Sequence, residues 1–492
     1  MSAARVWRPR RALSLPAGFG VAAVSLGAAA AVGYGLTRLT ALPTAHGGGG
    51  LRLHLALIAG IAIVSLAPLA ARAVRGRFDA LEPVVLSSLA LIILFVLRPL
   101  VDLHVKHYDF LGADLTSSYG QALAAALTAA SAFMAAYHLP VGARLAERTP
   151  LIRARPDHLK VFNLALLMLL GTLAVLALVI VLSGGVTALV DMRHQATLAS
   201  RVPPVLFESI QVAVPTLLLF RVSRPGLPTL SALAAVAAAV VILFMSVPMG
   251  NRRYLLLFIV SAGAWYFIRR GRRPKLLPTA AIALVLLLLV AIPVRESRKG
   301  TRTFTAALQE TVAAPGEALL SPFTSGDTEQ IDTLAILVHD LGWRVPFQHG
   351  KQFLTNNLLL PVPSEVWSGK PQKIRTLIIQ ARFGGRDGNC VAFCPTFSMI
   401  GDFYSDFGLL SVAVGAAMVG LLLRFSYAYL RRNSHDAIVK AAYCANLWTA
   451  FYIWWDSYAY LVQNAVLLVC PFVIAGLWAR AGAAENDPME RA

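Results

Sequence analysis

An all-α polytopic membrane protein is the fold class that this 492-residue chain predicts. Three observations predict it. Mean hydropathy is +0.65. Only 14% of residues are charged, against roughly a quarter in soluble domains. Apolar runs of about 20 residues, each able to cross a hydrocarbon core of roughly 30 Å, recur from end to end.

The runs number about twelve. They lie at Gly18–Thr37, Leu51–Ala71, Leu81–Val101, Gly120–His138, Val161–Leu182, Val205–Phe220, Leu230–Met249, Tyr254–Arg269, Leu276–Val294, Phe397–Leu423, Ala437–Trp455 and Tyr458–Trp478. The first is long for a signal core, and Pro43-Thr44-Ala45 is a poor cleavage site, so it reads as a span. The sixth carries Glu208, Gln211 and Pro215 and is the least regular. Polar groups at such depth either line a groove or hydrogen-bond across helices.

Sidedness follows from Lys and Arg in the short loops. The N-terminal tail carries Arg5, Arg8, Arg10 and Arg11, and every second loop afterwards is basic. Both termini are therefore expected in the cytoplasm. Four regions result: spans one to nine in 1–294, a long outward loop in 295–396, spans ten to twelve in 397–480, and a cytoplasmic tail in 481–492. The formal charge of +19 is then mostly topological. Basic residues dispersed among apolar spans exclude a nucleic-acid-binding face.

Charge outside the cell is more informative, because the same rule disfavours it. Arg252 and Arg253 open the eighth span, while Arg295, Arg298, Lys299 and Arg302 follow the ninth. Residues 295–396 hold eleven Lys/Arg against nine Asp/Glu, with the acids gathered between Glu310 and Asp340. Apolar spacing in that acidic stretch predicts an amphipathic helix. Guanidinium clusters at an interface suit a large anion such as a lipid-linked diphosphate, since Arg binds phosphate bidentately. Membrane lipid headgroups or the loop's own acids are the alternative partners.

No phosphate loop, zinc-hydrolase motif or soluble nucleotide-binding domain is present in the sequence. Cys390 and Cys394 lie in the outward loop. They suit a small disulfide ring in an oxidising compartment; a metal pair would need a further His or Cys at the usual spacing.

Several short motifs occur in a fixed order. They are Phe78-Asp79-Ala80-Leu81-Glu82-Pro83, with Arg98 after it, then Gly250-Asn251-Arg252 and Gly350-Lys351-Gln352-Phe353. Leu360-Pro361-Val362-Pro363, Trp367-Ser368-Gly369-Lys370-Pro371, Pro395-Thr396-Phe397-Ser398 and Gly401–Gly408 complete the series. Together they resemble the bacterial oligosaccharide repeat unit polymerases, the O-antigen polymerase or Wzy-type family. One departure is Asp402, where that family's motif has Glu, one methylene longer.

The resemblance implies glycosyl transfer from an undecaprenyl-diphosphate-linked oligosaccharide on the outer face of the cytoplasmic membrane, with a flippase and a chain-length regulator as partners. It implies no cofactor and no metal, fixed cations serving the diphosphate. Arg252, Arg253, Arg295 and Arg298 are the expected diphosphate ligands, with Arg295 catalytic. Asp402 is the first candidate general base, ahead of Asp387, His349 and His339; the other reading of Asp402 is a helix N-terminal acid. Lys351, Lys370, Arg382 and Arg386 are expected to contact phosphate or glycan. Tyr404, Trp343, Trp367 and Phe383 offer faces for sugar rings. An O-antigen ligase, or a transporter or flippase of lipid-linked glycan, is the alternative.

Overall fold

The computed structural model describes residues 49–75, 78–105, 109–150, 152, 156–186, 202, 204–223, 228–246, 252–274, 285, 287–293, 296, 304–323, 328–357, 371–383 and 396–481. Within these the chain is almost wholly helical. One small hairpin pairs Asp109–Phe110 with Ala113–Asp114. Its two-residue turn, Leu111 and Gly112, has φ of 49° and 72°, the positive values that the twist of a tight hairpin requires.

Six helices among the described residues are long and apolar enough to cross a membrane: Gly50–Val74, Pro83–Leu103, Thr116–His138, His158–Ser183, Leu409–Arg432 and Ala459–Arg480. Leu230–Met249 and Tyr254–Arg269 correspond to the helices Pro228–Ser246 and Arg252–Arg269. Gly18–Thr37 and most of Leu276–Val294 lie outside the described residues.

Three expected spans are interrupted, each for a local reason. Val205–Phe220 divides into Pro204–Ser209, a tight turn at Ile210–Val212, and Ala213–Val222. Pro215 has no N–H to continue a helix from Gln211, but it is tolerated in the first turn of a new one. Ala437–Trp455 divides into Ala437–Asn446 and Thr449–Trp455. There the Thr449 hydroxyl donates to the Asn446 side chain at 2.9 Å and accepts from Asn464 at 3.0 Å, so side chains share the polar bonding at the break.

The third correction matters most for the site. The span predicted from Phe397 is two helices, Met399–Phe407 and Leu409–Arg432, joined at Gly408. Gly408 has φ 65° and ψ −139°, a conformation open essentially to glycine alone. The long apolar helix thus begins about a dozen residues later than hydropathy suggests.

Proline also accounts for three π-turns, Ile93–Leu97, Leu287–Ala291 and Ala465–Val469. Each ends two residues before a proline: Pro99, Pro293 and Pro471. The next backbone N–H reaches one residue further back, Arg98 to Ile93 and Cys470 to Ala465. Widening the helix in this way absorbs the bond that proline cannot make.

Thr116–His138 lies at the centre of the bundle, between Gly49–Val74, Leu409–Arg432 and Gln330–Asp340. Its buried face is rich in alanine, which lets neighbouring backbones approach closely. A Cβ at Gly420 would stand 2.5 Å from the Phe133 carbonyl oxygen, a backbone atom that cannot swing aside. Gly420→Ala is therefore expected to destabilise the protein by about 1–3 kcal/mol through overpacking. A lowered thermal midpoint in detergent would show it, and an unchanged midpoint would refute this account of the contact.

The acidic stretch is not one amphipathic helix. It forms Phe304–Ala313, Pro315–Leu320 and Gln330–Asp340. The last is buried along most of its length, Asp332 and Asp340 included. It cannot be a surface helix, because its charged groups are spent inside the protein.

Candidate functional site

The Met399–Phe407 helix places Asp402 and Asp406 one turn apart, hence on one face. Phe403, between them, points at the long helix behind Gly408. A Cβ at Gly415 would overlap the Phe403 ring, so the missing side chain there is what seats the short helix.

Asp406 receives the Gly350-Lys351-Gln352-Phe353 motif. Its Oδ1 accepts the Gly350 and Gln352 amides at 2.9 and 3.2 Å, and its Oδ2 accepts the Phe353 amide at 3.0 Å. His349 and Gly350 present those amides by adopting left-handed φ values of 48° and 85°. Burial raises the Asp406 carboxyl above its ordinary range, opposed by these three amides. Gln352 extends the joint: its Nε2 donates to the Gln372 carbonyl at 2.8 Å, and its Oε1 accepts the Ile374 amide at 3.0 Å.

Asp402 reaches the opposite way, to the last apolar helix. Its Oδ2 accepts the Ser457 hydroxyl and the Tyr458 amide, both at 2.6 Å. The Tyr458 ring lies between Phe403 at 4.8 Å and Phe353 at 5.9 Å. Only 5% of Asp402 is exposed. Burial pushes its carboxyl up to about 7 against the pull of Ser457 and Tyr458.

From Asp402 a polar seam leads to Arg253. Ser457 donates its amide to Asp456 Oδ1 at 2.7 Å, and the Tyr452 hydroxyl donates to Asp456 Oδ2 at 3.1 Å. The Tyr452 ring meets that of Tyr460 edge-on at 4.9 Å. The Tyr460 hydroxyl donates to Glu208 Oε1 at 2.9 Å, and Glu208 Oε2 pairs with the Arg253 guanidinium. That guanidinium also lies over the rings of Tyr460 at 4.5 Å, Tyr254 at 4.8 Å and Tyr452 at 5.6 Å, a cation–π setting. Glu208 and Gln211 therefore bond within and across helices, Gln211 donating to Glu208 at 2.6 Å.

Arg382 is committed elsewhere. Its Nε and second terminal nitrogen grip Asp340 at 2.5 and 2.7 Å, and its other nitrogen donates to the Leu111 carbonyl at 3.2 Å. With 4% of its side chain exposed, it joins two helices of the 295–396 segment to the hairpin. The reading in which such arginines pair with the segment's own acids describes it. Arg98 resembles it: Nε pairs with Asp102 at 3.0 Å, a terminal nitrogen pairs with Asp332 at 2.8 Å, and Tyr119 donates to Asp102 at 2.9 Å.

Lys351 is exposed at the start of the helix that Asp406 caps, and Tyr404 is half-buried. The Trp343 ring is exposed, with the Arg344 guanidinium over it at 4.3 Å. His339 bonds Asp340 at 2.9 Å, and His349 packs on Phe407. Arg252 begins the Arg252–Arg269 helix, but its side chain lies outside the described residues. So do Arg295, Arg298, Lys370, Arg386, Asp387, Trp367, Cys390 and Cys394.

Asp406, Ser457 and Asp332 were not singled out by the sequence. Asp406 carried a signal, an acid one turn beyond Asp402 inside the same motif. Ser457 and Asp332 carried none, because their partners are far along the chain. Comparison of the chain with protein-family models, curated proteins and solved structures finds no match.

Proposed function

We propose that this protein is a membrane glycosyltransferase that joins isoprenoid-diphosphate-linked oligosaccharide repeat units into O-antigen or exopolysaccharide. The reading places it as a multi-pass protein of the cytoplasmic membrane, with both termini inside and residues 295–396 outside. The observation that carries it is the seam from Asp402 to Arg253; Asp402 belongs to the Gly401–Gly408 motif, whose Asp406 holds the Gly350–Phe353 motif. A carboxyl held near neutrality suits a general base for the acceptor hydroxyl. A guanidinium at the other end suits a leaving diphosphate.

In this mechanism Asp402 takes the proton of the non-reducing sugar hydroxyl as it attacks the anomeric carbon of the donor. The bond from that carbon to the diphosphate oxygen breaks, and the diphosphate leaves carrying the negative charge. Arg253 offsets that charge. Phe353, Phe403 and Tyr458 shape the wall beside the base.

The test is the surface glycan of a deletion strain complemented with wild type or with the pair Arg253→Gln and Glu208→Gln. Removing both charges avoids a lone buried carboxylate. The expected result is lipid core carrying a single repeat, with polymer reduced about 100-fold or more, in the range that loss of one charged transition-state contact gives. A full ladder from the double variant would refute the role of Arg253. In the deletion strain, bare core with long lipid-linked chains would indicate a ligase, and an unchanged profile would overturn both the polymerase and the ligase readings.

A further inference from the structure

The Arg252–Arg269 helix carries a second basic cluster at its other end. Eighteen residues at 1.5 Å each separate the ends by about 27 Å. At Gly271, with φ 61°, the chain turns back: the Gly271 amide bonds the Ile268 carbonyl at 3.1 Å and the Arg272 amide bonds that of Phe267 at 3.0 Å. This is a Schellman-type end. It folds Arg272 and Arg273 over the helix terminus, beside Arg269 and Arg270.

These four arginines and Lys440 border one cavity of 480 Å³, which reaches Asp79 and the Tyr443 side of the Ala437–Asn446 helix. Asp79 is the one carboxylate among its lining residues. That carboxylate already accepts the Tyr427 hydroxyl at 2.8 Å, with Arg273 at 3.9 Å. Glu82, three residues on, is taken by Arg72, Tyr137 and Arg424. Arg270 lies over the Tyr266 ring of its own helix at 4.2 Å, and Asp436 acts on Lys440 from one turn before it; Arg269, Arg272, Arg273 and Lys440 border the concave space, with Asp79 the one carboxylate in its lining. An excess of positive charge lining a concave space raises the local concentration of anions, and the volume lies within the range of small-molecule sites.

We propose that this cavity binds a phosphate group, carried on an anionic phospholipid or free in solution. Arg272 and Arg269 offer planar forks that match phosphate oxygens, and Lys440 adds a point charge from a separate helix. The site lies at the far end of the helix from Arg253, so it is distinct from the seam through Asp402. A headgroup here would be one that the interfacial field of an anionic leaflet already attracts.

The test uses full-length protein in neutral detergent, titrated with phosphatidylglycerol, phosphatidylcholine, inorganic phosphate and pyrophosphate while the thermal midpoint is followed. Wild type is expected to be stabilised by phosphatidylglycerol and not by phosphatidylcholine. Arg272→Gln is expected to weaken that response about tenfold, and Lys440→Gln by a similar factor. Arg272 is exposed, so R272Q decides the matter if K440Q folds poorly. If pyrophosphate or phosphate reproduces the stabilisation with the same loss in R272Q, the occupant is a soluble phosphate; if phosphatidylglycerol alone does, it is a lipid. Equal responses to the two lipids, or an unaltered response in R272Q, would overturn the proposal and leave the arginines as topological charges.

Discussion

Asp402→Asn is expected to abolish long-chain glycan in a complemented strain while the protein still folds and reaches the membrane. Asparagine keeps a side-chain oxygen for the Ser457 hydroxyl and the Tyr458 amide, the two groups that Asp402 accepts at 2.6 Å. It cannot take a proton. General-base catalysis contributes about 10²–10⁴-fold, so the ladder should collapse to single repeats. Asp402→Ala would be a poorer test, since it also strips two hydrogen bonds to a charged group, each worth about 1.5–3 kcal/mol.

The same variant makes a prediction about pH. The Asp402 carboxyl stands at about 7 in the folded protein, against an ordinary 3.8. Between those values the folded state holds a proton that the unfolded chain has released. Stability from this group is thus present at low pH and declines as pH rises from about 4 to 7, by at most about 4 kcal/mol. Thermal unfolding across that window should be flatter in Asp402→Asn than in wild type. Activity should rise through pH 7 as the base ionises. Parallel stability curves for the two proteins would dismiss the buried, proton-retaining carboxyl.

Asp406→Ala is expected to release the Gly350–Asn357 turn and helix. Three amides, of Gly350, Gln352 and Phe353, lose their acceptor together. Each donor left unsatisfied costs about 1–3 kcal/mol, so the motif should detach locally rather than stay docked. Hydrogen exchange would report it as lost protection at residues 350–353, with the Gln330–Asp340 helix unchanged. Asp406→Asn retains one acceptor oxygen and should give an intermediate effect. Unchanged protection in Asp406→Ala would mean that the motif is seated by Gln352 and the aromatic packing of Phe353 instead.

Long apolar helices were legible because hydropathy and length are properties of a window. The start of the Leu409–Arg432 helix was not, since the apolar residues around Asp402 and Asp406 keep Phe397–Leu423 reading as one run and hide the conformational break at Gly408. Pro215 did announce the divided sixth run, whereas the break between Asn446 and Thr449 rests on a contact from Asn464 that no window contains. At the candidate site, the motifs identified the acids but not what they touch. Asp402 finds Ser457 55 residues away, and Arg253 finds Glu208 45 residues back. Pairing across such separations is decided by packing, which a single sequence does not display.

The Arg98–Asp332 pair ties the Pro83–Leu103 helix to the Gln330–Asp340 helix, across 234 residues, with each side chain 6% exposed. Asp102 shares the same guanidinium at 3.0 Å, so losing Arg98 strands two buried carboxylates at a cost of about 3–5 kcal/mol or more, whereas losing Asp332 leaves Arg98 its second partner. Among homologues Arg98 should therefore be kept wherever either acid is kept, and a neutral residue at this position should come with neutral residues at both 102 and 332. Arg253 and Glu208 should be retained together, because Arg253 in the proposed reaction also offsets the charge of the leaving diphosphate. A family tree in which Arg98 is lost while either acid stays, or in which Arg253 and Glu208 change independently, would show that these ion pairs are dispensable.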